Sequence, residues 1–161
     1  MFNHNNGSDF HVDTLTTHIV GLHHENIDGI DRCTLLGDYL SEIMQSKDKY
    51  SGYSDQDMLS DGFYFSGRIY EFSHSEISTV KLVVESENIF DKDPIKVYHE
   101  KLKDLGYVPF IDKDKVRGIM DNKEIIYIEL EVTGGKYKYI ENGELKKGEC
   151  SLGLMLHINY S

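Results

Sequence analysis

From Arg68 onward the chain is a succession of short β-compatible runs separated by turn residues, and this pattern most limits what it can fold into. The runs are Arg68 to Phe72, Ser78 to Glu85, Ile95 to Tyr98, Asp104 to Val108, Ile125 to Thr133, Tyr137 to Ile140 and Leu152 to Asn159. Gly134-Gly135 follows the fifth run, and the strong turn dipeptide Asn142-Gly143 follows the sixth. An earlier strand, Thr17 to Glu25, is expected to end at Asn26-Ile27-Asp28-Gly29, where Gly29 is free to take a positive φ. Three stretches fit helices. Asp31 caps residues 31–45, where Leu35, Leu36, Tyr39, Leu40 and Ile43 fall at helical spacing. Ser54 caps Asp55 to Ser60, and Lys113 to Met120 forms the third. The expected fold is mainly β, a β-rich α+β domain built as a small, partly open barrel with two or three short helices.

With 161 residues there is room for one core and not for two ordinary domains. Residues 1–15 read as a flexible polar tail. Residues 16–161 read as the single domain, with an expanded segment at about 46–76. Eleven tyrosines argue for a folded chain. No apolar run approaches the roughly 20 residues of a membrane span, and MFNHNNGSDFH lacks the basic start and apolar stretch of a secretory signal. Cys33 and Cys150 are far apart and belong to no CxxC pair, so two free thiols in a reduced, cytoplasmic setting are expected, with no structural zinc and no cofactor. The formal charge is −11, and residues 1–91 carry 16 of the 28 acidic side chains against 5 of the 17 lysines and arginines. Any nucleic-acid contact must therefore be local and use few phosphates.

Residues 82–109, LVVESENIFDKDPIKVYHEKLKDLGYVP, place an acidic turn, Asn88-Ile89-Phe90-Asp91, between two strands. The second strand ends in Val97-Tyr98, and Gly106-Tyr107-Val108-Pro109 follows. An aromatic ring beside a carboxylate in a loop offers a stacking face next to a hydrogen-bond acceptor. A second aromatic beside a glycine lets a ligand approach closely. Upstream stand Val20-Gly21-Leu22, Asp28-Gly29 and Arg32; downstream stands Val132-Thr133-Gly134-Gly135. In this order the elements resemble the signature of HIRAN domains over about residues 16–140. The resemblance implies an OB-like fold and, as in fork-remodelling helicases, recognition of a single-stranded DNA 3′ end. Phe90 then stands at the stacking position and Asp91 at the acidic hydroxyl-binding position. Asn88 opens the same turn, and Tyr107 falls where relatives carry His or Tyr. His23 and His24 stand where the helicase relatives carry Arg and Tyr. Ile89 and Pro94 depart from the usual Pro and Ala, and a histidine at 23 removes a fixed phosphate partner.

Plainer roles stand beside these. Phe90 can plug the barrel mouth, Asp91 can form an Asx-turn, and a strand Tyr such as Tyr107 is most often half-buried packing. As strand neighbours, His23 and His24 would point to opposite faces, with His24 packed beside Val20 and Leu22. The run Lys113–Arg117 reads as a solvated helix face and is also the best local basic patch. Asp91, Asp93, Asp112 and Asp114 read as surface solvation rather than a two-metal centre. No phosphate-binding loop, nucleophile elbow or HExxH motif occurs, and no catalytic residue is assigned. The reading is a non-enzymatic module that holds single-stranded nucleic acid through His23, His24, Asn88, Phe90, Asp91 and Tyr107. The alternative is a protein-interaction module that binds no nucleic acid.

Overall fold

The structure, a computed structural model, describes residues 11–73, 75–86 and 92–161. It is an α+β fold with two antiparallel sheets, neither closed into a barrel. Strands β1 (Asp13–His18), β2 (Ile69–Tyr70), β3 (Glu76–Ile77), β7 (Ile125–Glu141) and β8 (Glu144–Tyr160) form one sheet. Strands β4 (Val80–Val84), β5 (Ile95–His99) and β6 (Lys103–Tyr107) form the other. The helices are α1 (Arg32–Ile43), α2 (Asp55–Ser60) and α3 (Phe110–Asn122). Among the described residues no helix is long and apolar enough to cross a membrane.

Local sequence signals explain several elements directly. Asn142 and Gly143 take φ of 52° and 76°, the left-handed pair that a two-residue hairpin turn requires, and β7 and β8 extend back from them. Ser54 and Asp57 make a reciprocal capping box at the start of α2. The expected pairing of the 80–85 and 95–98 segments is present as β4 against β5, with Val80 opposite His99 and Val84 opposite Ile95. One core fills the space between the layers. Leu36 and Leu40 of α1 and Val116 and Ile119 of α3 join Val97, Leu105, Leu130, Leu156 and Ile158 from the strands. The expanded segment makes a smaller cluster, in which Met58 and Phe65 pack on Ile140 of the hairpin. Lys138, buried on the hairpin, bonds Asp55 at 2.6 Å beside it.

Three expectations are corrected. The first strand spans Asp13–His18 rather than Thr17–Glu25, so Asp13 to Leu15 belong to a strand and not to a tail. After Val20 the chain turns, with Gly21 at φ 88° and its carbonyl accepting from Arg32 Nη1 and from the His24 amide. His23 and His24 therefore sit in a turn, and His24 is exposed rather than packed beside Leu22. Gly134 and Gly135 do not end a strand. They sit opposite a bulge in β8, where Ser151 and Leu152 face the single residue Gly134, and β7 runs on through the expected separate strand Tyr137 to Ile140. A Cβ on Gly134 would lie 2.1 Å from the Ser151 carbonyl oxygen. Helix α3 begins three residues before the expected Lys113, directly after Pro109, which lacks an N–H and stands just outside the helix at its N-cap.

The two sheets are joined at two corners. β1 pairs with β8 from Asp13 opposite Tyr160 to His18 opposite Met155, and the Ile19 amide still donates to Leu154 of β8. At Val20 the partner changes: its N–H donates to Tyr107 O and its carbonyl accepts from Tyr107 N, both at 2.9 Å, so Val20 lies on the edge of β6. The second corner lies at Ser78-Thr79, between β3 on β7 and β4 in the other sheet. The first corner requires a glycine opposite it. Gly106 has φ 148°, and a Cβ there would come within 2.3 Å of Val20 O and 2.7 Å of Ile19 Cγ2.

A buried ion pair holds the chain just beyond this corner. Arg32 donates from Nη2 to Asp104 Oδ2, from Nε to Asp104 O at 3.0 Å and from Nη1 to Gly21 O at 2.7 Å. The other oxygen of Asp104 accepts the Ile27 amide at 3.2 Å. Burial alone would push the Asp104 carboxyl up. The hydrogen bonds from Arg32 and Ile27 outweigh it and hold the group below the usual value.

Two tests of stability follow. In denaturant titrations Gly106→Ala should cost about 3 kcal/mol or more, because backbone atoms block the Cβ. Gly143→Ala should cost only about 1 kcal/mol, since nothing stands near its Cβ and only φ is unfavourable. Asp104→Ala should cost about 3–5 kcal/mol by leaving Arg32 buried and unpaired. A carboxyl depressed on folding contributes stability that is complete above its unfolded value near pH ~4 and is lost as pH falls through the lower folded value. Acid titration of stability should therefore be steeper below about pH 4 in the wild type than in Asp104→Asn.

Candidate functional site

The first corner builds one rim of the molecule. The Glu85 amide donates to Pro94 O at 2.9 Å and closes the base of the loop between β4 and β5. Asn88, Phe90 and Asp91 belong to that loop and lie outside the described residues. Beside its base, Tyr107 at the end of β6 donates its hydroxyl to Glu85 Oε2 at 2.9 Å. Burial and the Glu85 carboxylate both push the Tyr107 phenol up, so it stays a neutral donor well above neutral pH. The ring is half-buried, and its Cδ2 would sit 3.9 Å from a Cβ on Gly21, which brings the turn after β1 to the same place.

Directly after Tyr107-Val108-Pro109, the first two residues of α3 leave their side chains in solvent. Phe110 is 77% exposed and Ile111 83% exposed. Lys113 lies 5.0 Å from the Phe110 ring centroid, and its Nζ donates to Lys92 O at 2.6 Å, at the end of the loop. Thr17 donates to Asp112 Oδ2 at 2.6 Å and ties α3 to β1. Phe110 and Ile111 are site candidates that the sequence reading passed over. The available signal was Pro109, which marks a helix start and so puts the next two side chains at an exposed helix end.

His23 goes elsewhere. His23 Nδ1 lies 3.3 Å from Cys33 Sγ, on the wall of a groove of about 430 Å³ between α1 and the β7–β8 hairpin. Tyr107 is not among the residues lining that groove. His24 is exposed, and its amide donates to Gly21 O at 3.1 Å. Among the described residues no group of three or more His, Cys, Asp or Glu side chains is arranged to hold a metal ion.

Removing the Tyr107 hydroxyl isolates one bond of the rim. Tyr107→Phe should cost about 1 kcal/mol in denaturant midpoints, the usual net value of one hydrogen bond. Glu85→Gln, which keeps an acceptor, should cost less. Equal losses would show that the charge of Glu85 matters and not the hydrogen bond.

Comparison of the chain with protein families, with curated proteins and with solved structures finds no match.

Proposed function

We propose that this chain is a non-enzymatic, OB-like module of the HIRAN type that holds single-stranded nucleic acid at the rim. The strand would lie between the 86–94 loop, Tyr107 and the first turn of α3. The observation that carries the reading is the exposure of Phe110 and Ile111 at the start of α3, which follows Tyr107 in the chain, because solvent-facing aromatic and apolar side chains offer bases a stacking surface. Two sheets joined through one continuous segment, β1 to Val20, are consistent with an opened barrel. Lys92, Lys113 and Lys115 supply local positive charge in an acidic chain, while Arg117 is paired with Asp121, so phosphate contacts would be few. By resemblance, Phe90 stacks a base, Asp91 accepts from a free 3′-hydroxyl, and Asn88 and His24 border the same surface. A carboxylate there favours a strand end over a continuing phosphate, which it repels. His23 is not part of this proposal, since it lines the groove beside α1.

A second reading, a protein-interaction module, is favoured by a separate feature. Phe63 and Tyr64, in the turn after α2, are 89% and 80% exposed, and the net charge of −11 repels nucleic acid overall.

Short fluorescent DNA strands with free or blocked 3′ ends separate these readings. The nucleic-acid reading predicts weak binding with a shallow salt dependence, and a loss of about 1–3 kcal/mol on Phe110→Ala or Phe90→Ala. Asp91→Ala should lower the preference for the free end without weakening the blocked one. Absence of binding to either strand at high micromolar protein would reject the nucleic-acid reading in favour of the interaction module.

A further inference from the structure

The only two cysteines of the chain, 117 positions apart, open onto the same groove. One wall is a stripe of α1: Cys33, Gly37, Asp38 and Ser41. The other comes from the hairpin, with Lys136 of β7 and Glu149 to Leu152 of β8. Phe72 and Leu152 make an apolar floor, and the glycines keep it open. A Cβ on Gly135 would stand 3.0 Å from Leu152 Cδ2, and one on Gly37 would stand 3.8 Å from Leu152 Cδ1. At about 430 Å³ the space falls within the range of small-molecule sites.

Chemistry is concentrated at one end. Cys33 is the second residue of α1, whose N-terminal dipole favours a negative sulfur, and its Sγ lies 3.3 Å from His23 Nδ1. Burial and the Asp31 carboxylate push the Cys33 thiol up, so at neutral pH it keeps its proton. The His23 imidazole nitrogen, at hydrogen-bond distance, is the base that can take that proton when the sulfur attacks. Around the groove the carboxylates of Asp38, Glu71 and Glu149 outnumber the cations, Lys136 in the lining and Arg68 near Cys150, so a cationic reactant is drawn in and an anionic one is turned away.

We propose that this groove is a thiol-exchange site in which Cys33, assisted by His23, takes up a small aminothiol from its cationic disulfide. The Cys33 proton passes to His23 Nδ1, and the sulfur attacks one sulfur of the disulfide. A new Cys33–S bond forms as the reagent's S–S bond breaks. Its electron pair leaves on the departing thiolate, which receives the proton from His23. Cys33 is thereby oxidised to a mixed disulfide, and one equivalent of the aminothiol is released reduced. Cys150, more exposed and without an imidazole partner among the described residues, is the slower thiol.

The test uses the full chain carrying Cys150→Ser, so that Cys33 is the single thiol, with cystamine as the cationic disulfide and dithiodiglycolate as the anionic one. Intact mass and peptide mapping follow the adduct over time. The expected result is one adduct per chain at Cys33, with cystamine reacting about tenfold faster than dithiodiglycolate, a gap that narrows with salt. His23→Gln, at an exposed position, should slow the cystamine reaction on the order of tenfold and leave the unfolding midpoint unchanged. A Cys33 that reacts only in denaturant would overturn the proposal. Equal rates with both reagents, or a His23→Gln rate equal to that of the parent, would also overturn it.

Discussion

The buried pair between Arg32 and Asp104 is the interaction on which the rest of the arrangement depends. One guanidinium binds a carboxylate, a strand carbonyl and the carbonyl of Gly21, and the same carboxylate takes the Ile27 amide. The N-terminus of α1, the start of β6 and the turn between β1 and α1 are therefore fastened at one point. Buried ion pairs are weak evidence for stability, because dehydrating both charges offsets most of their attraction. Their better-attested use is to select one arrangement over others. Here the alternative is easily drawn: β1 continues along β8 through Val20, and the turn swings free of β6. Arg32 lacks its partners in that arrangement, and a buried unpaired charge costs several kcal/mol.

Fixing that turn shapes two surfaces. On one, Val20 completes the edge of β6, Tyr107 meets Glu85, and the chain leaves through Pro109 into α3 with Phe110 and Ile111 outward. On the other, the turn carries His23 to Cys33 at the head of the groove along α1. Gly106 permits the first by letting two backbones approach to a distance no side chain tolerates. Gly37 and Gly135 permit the second by leaving space above Leu152. Glycine is used here for close approach in one place and for open volume in the other.

What was legible in the sequence was local. The Asn142-Gly143 turn, the Ser54 cap, the Asp31 cap and the β-compatible run Ile95 to Tyr98 each act within a few residues, and each marks its element. The end of β1 was not legible, since it is dictated by Arg32 and Asp104, 72 positions apart, and not by the apolar run His18 to Leu22 that continues past it. The Gly134-Gly135 pair reads as a stop in isolation, yet β7 runs through it, because β8 pairs on both sides and absorbs the register shift with one extra residue. The same holds for function. Tyr107 was singled out from its motif, but Phe110 emerges only once Pro109 is seen to start a helix. The approach of His23 to Cys33 emerges only once the segment after Val20 is a turn.

Native-state hydrogen exchange of three amides tests most directly whether the ion-paired turn is part of the cooperative core. Val20 and Tyr107 exchange hydrogen bonds across the corner, and Ile27 donates to Asp104. If the Arg32–Asp104 pair locks the corner, all three amides should open with the free energy of global unfolding, together with Leu156 of the central strand β8. In Asp104→Asn they should open at a lower free energy than Leu156. Exchange of Val20 and Tyr107 in the wild type at the fast rates of surface loops would contradict the account, because the two sheets would then be held together without this corner.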